Sequence, residues 1–307
     1  MKNIVVIGGG FAGLWSAATA ARNLYLLGAD ANITLINPDP YHCIRVRNYE
    51  ENLHETRIPL VSVLDPIGVD LLLGKATNVD TDKKTITVAS SGVVRWLRYD
   101  KLILASGSHL TRPQTPGVAE YTFDIDTYPA AVRLQEHISK LAEAKRSRGQ
   151  FTAVVVGSGA TGVELACELP KRLRAAAIAS GDASAVGHVR VILADRGADI
   201  SGQLGGAKAV IHHACHELGL ELMPGFALAS VDAGGITLHD GSRIDASTVV
   251  WCAGMKASDL TSFVPGERDP AGRLHVDSYM RVKAVEDVYA AGDAAHALID
   301  GDRKSVV

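Results

Sequence analysis

No stretch of the chain approaches the roughly 18 consecutive apolar residues needed to cross a bilayer, and no block of one charge interrupts it. Lys and Arg number 31 against 34 Asp and Glu, a formal net charge of −3. The missing apolar run argues against a membrane span. The missing charge block argues against nucleic-acid binding and against electrostatic adhesion to a membrane. Cysteine is also scarce. Cys43, Cys167, Cys215 and Cys252 stand far apart, with no C-x-x-C and no metal-ligand spacing, which points to a reducing compartment. Cys167 falls on a predicted helix, where a small apolar side chain packs against a sheet. His212, His213, Cys215 and His216 cluster on another, with His212 and His216 sharing a face at i, i+4. No further ligands lie nearby in the sequence, so a solvated helix face is expected and no metal is assigned. The first strand is expected to begin at Lys2 or Asn3, so no leader and a cytoplasmic location are the expectation.

What the chain does have is glycine, 30 residues of it, within 307 residues that are 47% hydrophobic. That is enough apolar material for a core in each of two units. Ile4 to Ile7 is a short apolar run suited to a buried parallel strand, and Gly8-Gly9-Gly10-Phe11-Ala12-Gly13 follows it at the G-x-G-x-x-G spacing. Gly8 is expected to make the tight turn, Gly10 to admit a pyrophosphate, and Gly13 to let the next helix, about Ala12 to Leu27, pack closely. A second strand, Ile33 to Ile36, ends at Asn37, where an acidic ribose ligand is usual. An amide still hydrogen-bonds ribose hydroxyls, without charge assistance.

The pattern returns about 150 residues later. Ala153 to Val156 leads into Gly157-Ser158-Gly159-Ala160-Thr161-Gly162 and a helix from about Ala160 to Ala179. Its second strand, Val189 to Leu193, ends at Asp195. That carboxylate grips ribose hydroxyls and opposes a 2′-phosphate, which costs roughly ten- to a hundredfold in affinity. NADH is therefore expected over NADPH, with Arg196 as the residue that would soften the preference. One fingerprint is weak; two in register imply two bound dinucleotides.

Three further signals follow the strand-to-turn form. They are Tyr99 to Ser108, with Ser106 and Gly107 in a small-residue turn; Val249 to Gly254; and Asp287 to Asp293, with Gly292 before a carboxylate. Asp293 is expected to precede a new helix and accept hydrogen bonds from a ribityl hydroxyl.

With GGGFAG, YDKLILASGS, GSGATGVELACEL, VVWCAG and VYAAGD in this order, the chain resembles, from end to end, the two-dinucleotide-binding flavoproteins of the pyridine nucleotide-disulfide oxidoreductase superfamily. Among them it is most similar to the type II NADH:quinone oxidoreductases, and Pro40-Tyr41-His42 also looks like that branch. The resemblance implies an α/β fold of two Rossmann-like units, the NAD-binding one inserted into the FAD-binding one, each with a small β-meander. It implies that Gly8, Gly10, Phe11, Ala12 and Gly13 hold the FAD pyrophosphate, Asn37 the adenosine ribose, and Ala76 the adenine through its backbone. Ser106, Gly107, Gly254 and Gly292 line the cofactors, and Asp293 takes the ribityl-phosphate part. Gly157, Gly159, Gly162 and Asp195 hold NADH. Glu164 matches a family glutamate near the reacting rings, with orientation or proton handling as its role; a first-turn carboxylate favoured by the helix dipole is the bland alternative. Quinone or a similar small acceptor is the implied partner.

The chain departs from the family in two places. Cys43 has Asn48 at the position of a C-x-x-x-x-C partner, which excludes a dithiol mechanism. A single-cysteine peroxidase or coenzyme A-disulfide-reductase chemistry at Cys43 remains an alternative, with His42 and Arg45 nearby to favour a thiolate; Arg45 is also a candidate flavin or phosphate contact. After Asp293 there is room only for a helical turn or two over Ala294 to Ile299, whereas relatives continue for about a third as much again. The expectation is a truncated chain that lacks the acceptor pocket and the membrane-lying helices, and that dimerises or aggregates through an uncovered apolar face; a naturally short chain that uses soluble acceptors is the alternative. The expected domains are 1–110 and 273–307 for FAD, and 111–272 for NAD(P)H. Gly235 to Leu238, Asp240-Gly241 and Val249-Val250 are expected to form the second meander, and strands from Leu71 to Val88 the first. A binding flavoprotein of the apoptosis-inducing-factor type is the non-enzymatic alternative.

Overall fold

The computed structural model describes residues 1–298, except Ala183 and Ala284. It forms two compact units. The first comprises Met1–Ile44, Arg57–His109 and the chain from Met255 onward; the second comprises Arg45–Thr56 and Leu110–Gly254.

The first unit is built on β1 (Lys2–Ile7), α1 (Phe11–Leu27), β2 (Ala31–Asn37) and β3 (Lys101–Leu104). Its five-stranded sheet has the order Val288–Ala290, β3, β1, β2, Asp70–Leu73, and all neighbours run parallel. Consecutive side chains of a strand point to opposite faces, so a sheet covered on both faces needs an unbroken apolar run. Val5, Val6 and Ile7 supply it. Val6 packs with Leu35 and with Ala17 of α1. Val5 and Ile7 pack on the other face with Ile86 and Val88, and with Leu260 and Val264. Ile86 and Val88 belong to an antiparallel meander of Lys75–Asp80, Thr85–Ser90 and Val93–Arg98. Helix α1 stops at Gly28, whose left-handed backbone (φ 58°) lets its N–H reach back to the last turn.

The second unit repeats the design with β4 (Thr152–Val156), α2 (Ala160–Ala179), β5 (Arg190–Ala194) and β6 (Thr248–Trp251). The parallel order is Glu221–Met223, β5, β4, β6. Ala153 and Val155 face Leu165, Leu169 and Leu173 of α2. Val154 and Val156 face Ile236 and Val249. The covering meander is Leu228–Asp232, Gly235–Leu238 and Arg243–Asp245.

Several sequence expectations are corrected here. Val249-Val250 belongs to β6 of the parallel sheet, not to the meander. Leu71 lies on the edge strand of the first sheet, and the first meander starts only at Lys75. The unit bounds part from the expected ranges at Leu260 and Val264, which pack into the core beneath β1, and at Leu53, which packs with the core under α2. Asp293 lies within a single 3-10 turn, Gly292–Ala294, and the short strand Ala295–His296 follows it. The expected helix therefore does not begin there, and Ile299 and its successors lie outside the described residues. Among the described residues, no helix is long and apolar enough to cross a membrane.

Candidate functional site

Both glycine loops sit at the carboxyl ends of their parallel strands, between the central strand and its helix. Gly8 and Gly157 share φ of +110°, which L side chains rarely adopt. The N–H of Gly8 donates to Ile36 O at 2.9 Å and that of Gly157 to Ala194 O at 2.8 Å, tying each loop to its second strand. A Cβ on Gly13 would stand 1.8 Å from Gly8 O, and one on Gly162 would stand 1.9 Å from Gly157 O. Only glycine allows each helix to start so close to its loop. Around Gly10, by contrast, a Cβ would meet nothing within 4 Å, whereas Gly159 has Gln203 Nε2 at 3.0 Å. Gly10 and Gly159 are the N-cap residues of α1 and α2, and neither cap carries a side-chain hydrogen bond. The first turn of α1 thus starts, without a side-chain cap, beside a space that Gly10 leaves open.

The residue ending the second strand closes each loop differently. Asn37 Oδ1 accepts from Gly9 N at 2.8 Å, and its Nδ2 donates to Asp39 O at 2.6 Å. Asp195 Oδ2 accepts from both Ser158 N and Ser158 Oγ at 2.8 Å, and its Oδ1 from Gly197 N at 2.8 Å. Burial works to raise the Asp195 carboxyl, but the N–H groups of Gly197 and Ser158, the Ser158 hydroxyl and the Arg196 charge outweigh it and hold the carboxyl below its usual range. Beside it opens a cavity of about 310 Å³ lined by Ser158, Asp195, Gly197, Ala198, Asp199, Gly202 and Gln203. Ser158 Oγ also accepts from Ser201 N at 2.8 Å. Ser201 is fully buried, sits in the left-handed region, and has a hydroxyl with no partner.

In the first unit, the Ser106 hydroxyl is likewise buried without a partner. Gly107 (φ +68°) turns the chain after β3, and its carbonyl accepts from Ser258 N at 2.9 Å. Gly292 (φ +62°) stands so near α1 that a Cβ would lie 2.8 Å from the Ala12 Cβ. The next residue, Asp293, accepts from Ser108 Oγ at 2.5 Å. Ala76 is 5% exposed in the core that also holds Ile36. Phe11 meets His42 edge-on, with ring centroids 4.7 Å apart, and His42 Nδ1 lies 2.8 Å from Gly9 O.

Arg45 pairs with Asp126 within the second unit. Glu164 is exposed on the first turns of α2, where partial burial nudges its carboxyl upward. Gly254 (φ +83°) closes the second unit against Thr111, whose N–H donates to its carbonyl at 2.8 Å. Burial, then Asp124 and Asp126, push the Cys252 thiol up to about 12, which keeps it protonated at neutral pH.

Sequence reasoning missed His42, Ser158 and Ser108 as loop and strand-end braces. For Ser158 the signal was present, because a hydroxyl in the middle of the second fingerprint can reach the residue ending the next strand. For His42 and Ser108 no local pattern marked the partner.

A family model described as pyridine nucleotide-disulphide oxidoreductase matches residues 2–306. An NADH dehydrogenase-like protein of Mycobacterium tuberculosis is 45% identical over all of this chain, which spans 76% of its length. The type II NADH:quinone oxidoreductase Ndh of the same organism is 29% identical over 95% of this chain and 66% of its own. In fold, the chain is similar to NDH2 from Plasmodium falciparum, solved in complex with NADH, with a TM-score of 0.78 at 18% identity; the similarity covers 96% of this chain and 64% of that one. The chain spans a little under two thirds of that solved relative. On the family match and the 45% identity, the chain belongs to the pyridine nucleotide-disulphide oxidoreductase family.

Proposed function

We propose that the first unit binds FAD and the second binds NADH, and that the chain is a flavin-dependent NADH dehydrogenase whose acceptor is a quinone or a similar small two-electron oxidant. One observation carries the proposal: the same strand–loop–helix cradle is built twice, each time with an uncapped helix N-terminus at its second glycine. The names of the mycobacterial relatives support the NADH and quinone assignments. The residues present fit both groups. The space at Gly10 and the unpartnered Ser106 hydroxyl suit a bound FAD. The cavity beside Asp195 and the unpartnered Ser201 hydroxyl suit the adenosine end of NADH.

FAD, when bound, supplies hydride acceptance and two-electron release, so that NADH, a proton and a quinone become NAD⁺ and hydroquinone. The chain's own residues hold and orient. The first-turn N–H groups of α1 and α2 face pyrophosphates, whose charge the helix dipole favours. Asn37 and Ala76 hold the adenosine of FAD, and Asp293 its ribityl chain. Asp195 accepts from ribose hydroxyls and repels a 2′-phosphate, which selects NADH over NADPH. Glu164 orients the nicotinamide by hydrogen bonding, and its raised pKa suits a group that exchanges a proton.

The test is anaerobic titration of the FAD-loaded chain with NADH and, separately, NADPH, following loss of the visible flavin band, then addition of a soluble quinone. Rapid bleaching by NADH with quinone-driven recovery is expected. A chain that takes up no FAD, or whose flavin NADH does not reduce, overturns the proposal.

A further inference from the structure

The carboxyl ends of two adjacent strands, β3 and Val288–Ala290, bring three polar side chains together in the first unit. Ser106 and Ser108 follow β3, and Asp293 follows the other strand after the left-handed Gly292. The two strand ends are joined by backbone as well, since Ala291 N donates to Leu104 O at 3.0 Å. Ser108 Oγ donates to Asp293 Oδ2 at 2.5 Å across 185 residues of chain, so a residue of one strand end fixes the carboxylate of the other. Ser106 presents its buried, unpartnered hydroxyl in the same turn.

We infer that Ser108 is a positioning residue for Asp293, setting the orientation in which that carboxylate receives the ribityl hydroxyls of a flavin nucleotide. The inference rests on FAD being the ligand of the first unit. Asp293 stands in a short 3-10 turn, Gly292–Ala294, and not at the head of a helix. A hydroxyl that donates to one oxygen removes the rotation of the carboxylate about its terminal torsion, which is otherwise broad. The ligand then meets a carboxylate that is already ordered, and binding does not bear the entropy of ordering it. Ligands of open parallel sheets bind beyond the carboxyl ends of the strands, which is where this pair lies.

The experiment compares Ser108→Val and Ser108→Thr, two side chains of the same branching that suit the strand Ser108–Leu110 and differ in the hydroxyl. Affinity of the purified chain for FAD, read from quenching of flavin fluorescence, is expected to fall about tenfold in Ser108→Val, the scale of a hydrogen bond to a charged group. Ser108→Thr is expected to stay within about twofold of the wild type. Asp293→Ala loses more, and adding Ser108→Val to it produces no further loss, because the serine acts through the carboxylate. Should Ser108→Val fail to fold, Ser108→Cys, with its weak donor, is expected to fall on the same side of Ser108→Thr. Equal losses in the Val and Thr variants, or losses that multiply in the double variant, overturn the role of Ser108. If Asp293→Ala weakens FAD while Ser108→Val matches the wild type, only Ser108's role falls; if the wild type takes up no FAD, the nucleotide assignment falls with it.

Discussion

The two glycine loops are nearly superimposable in their backbone logic and opposite in the chemistry that closes them. Gly8 and Gly157 share the same φ, and Gly13 and Gly162 make the same close approach to the loop carbonyl. At the end of the second strand, however, Asn37 accepts one hydrogen bond and donates another, while Asp195 accepts three and donates none. The backbone cradle is thus the common requirement of any dinucleotide, and the strand-end residue is fitted first to its own loop. An amide is needed where one partner is an N–H and the other a carbonyl. A carboxylate is needed where all three partners are donors.

The sharpest way to break the comparison is to fill the shared approach. Gly13→Val and Gly162→Val each force a side chain into a backbone oxygen within 2 Å, at a cost above about 3 kcal/mol to the unit that contains it. Gly13→Val is expected to lose FAD. Gly162→Val is expected to retain FAD whose reduction by NADH is abolished. Flavin content after gel filtration, with thermal unfolding alongside, separates the two; equal flavin loss in both would contradict one nucleotide per unit.

The loops were legible because everything that defines them is local. Glycine spacing, a four-residue apolar run before it and a helix after it all fall within some twenty residues, and α2 spans the range that spacing predicts. What fits less well is what depends on distant partners. Val249-Val250 is an apolar pair that suits a meander or a buried parallel strand, and only its pairing with Val154 and Val155 decides. Residues 45–56 follow the first unit in sequence, yet Asn48 donates to Ile125 O and Leu53 enters the core under α2. Arg45 lies in the same segment and pairs with Asp126. The Asp293 turn is not a helix start because Ala295 pairs with Leu274, a contact absent from any local pattern.

Exchanging the strand-end residues sharpens the difference. Asp195→Asn places an NH₂ against N–H or hydroxyl donors at one of its two ends, so NADH affinity is expected to fall roughly tenfold and discrimination against NADPH to narrow. The pH dependence has a definite sign. The Asp195 carboxyl is held down in the folded chain, so its contribution to stability is present above the unfolded value of about 3.9 and is lost as pH falls through the lower folded value. The gap in melting temperature between wild type and Asp195→Asn should stay constant from neutral pH down to that region and close below it. A gap that closed instead as pH rose would contradict the donor arrangement around Asp195. Asn37→Asp is the weaker partner of the exchange: it removes the donor to Asp39 O, an exposed bond, at about 1 kcal/mol. A drop of a few degrees in melting temperature is expected, and a variant as stable as the wild type would show that the amide is not what that position demands.

The smallest expected effect is at Glu164, which the first unit has no counterpart for: Trp15 stands at the equivalent place, two residues past the last glycine of its loop. Partial burial raises the Glu164 carboxyl, so its contribution to stability is present below the unfolded value of about 4.3 and is lost as pH rises through the raised folded value. Because the side chain is exposed, water screens most of this, and Glu164→Gln should differ little from the wild type in melting temperature at any pH. Its effect belongs to chemistry. NADH affinity should be unchanged, while the rate of flavin reduction falls about threefold, the scale of one neutral hydrogen bond, and the acid limb of its pH profile flattens. Stopped-flow reduction across pH distinguishes this from a helix-dipole role, in which Glu164→Gln would lower the melting temperature and leave both the rate and its pH profile where they were.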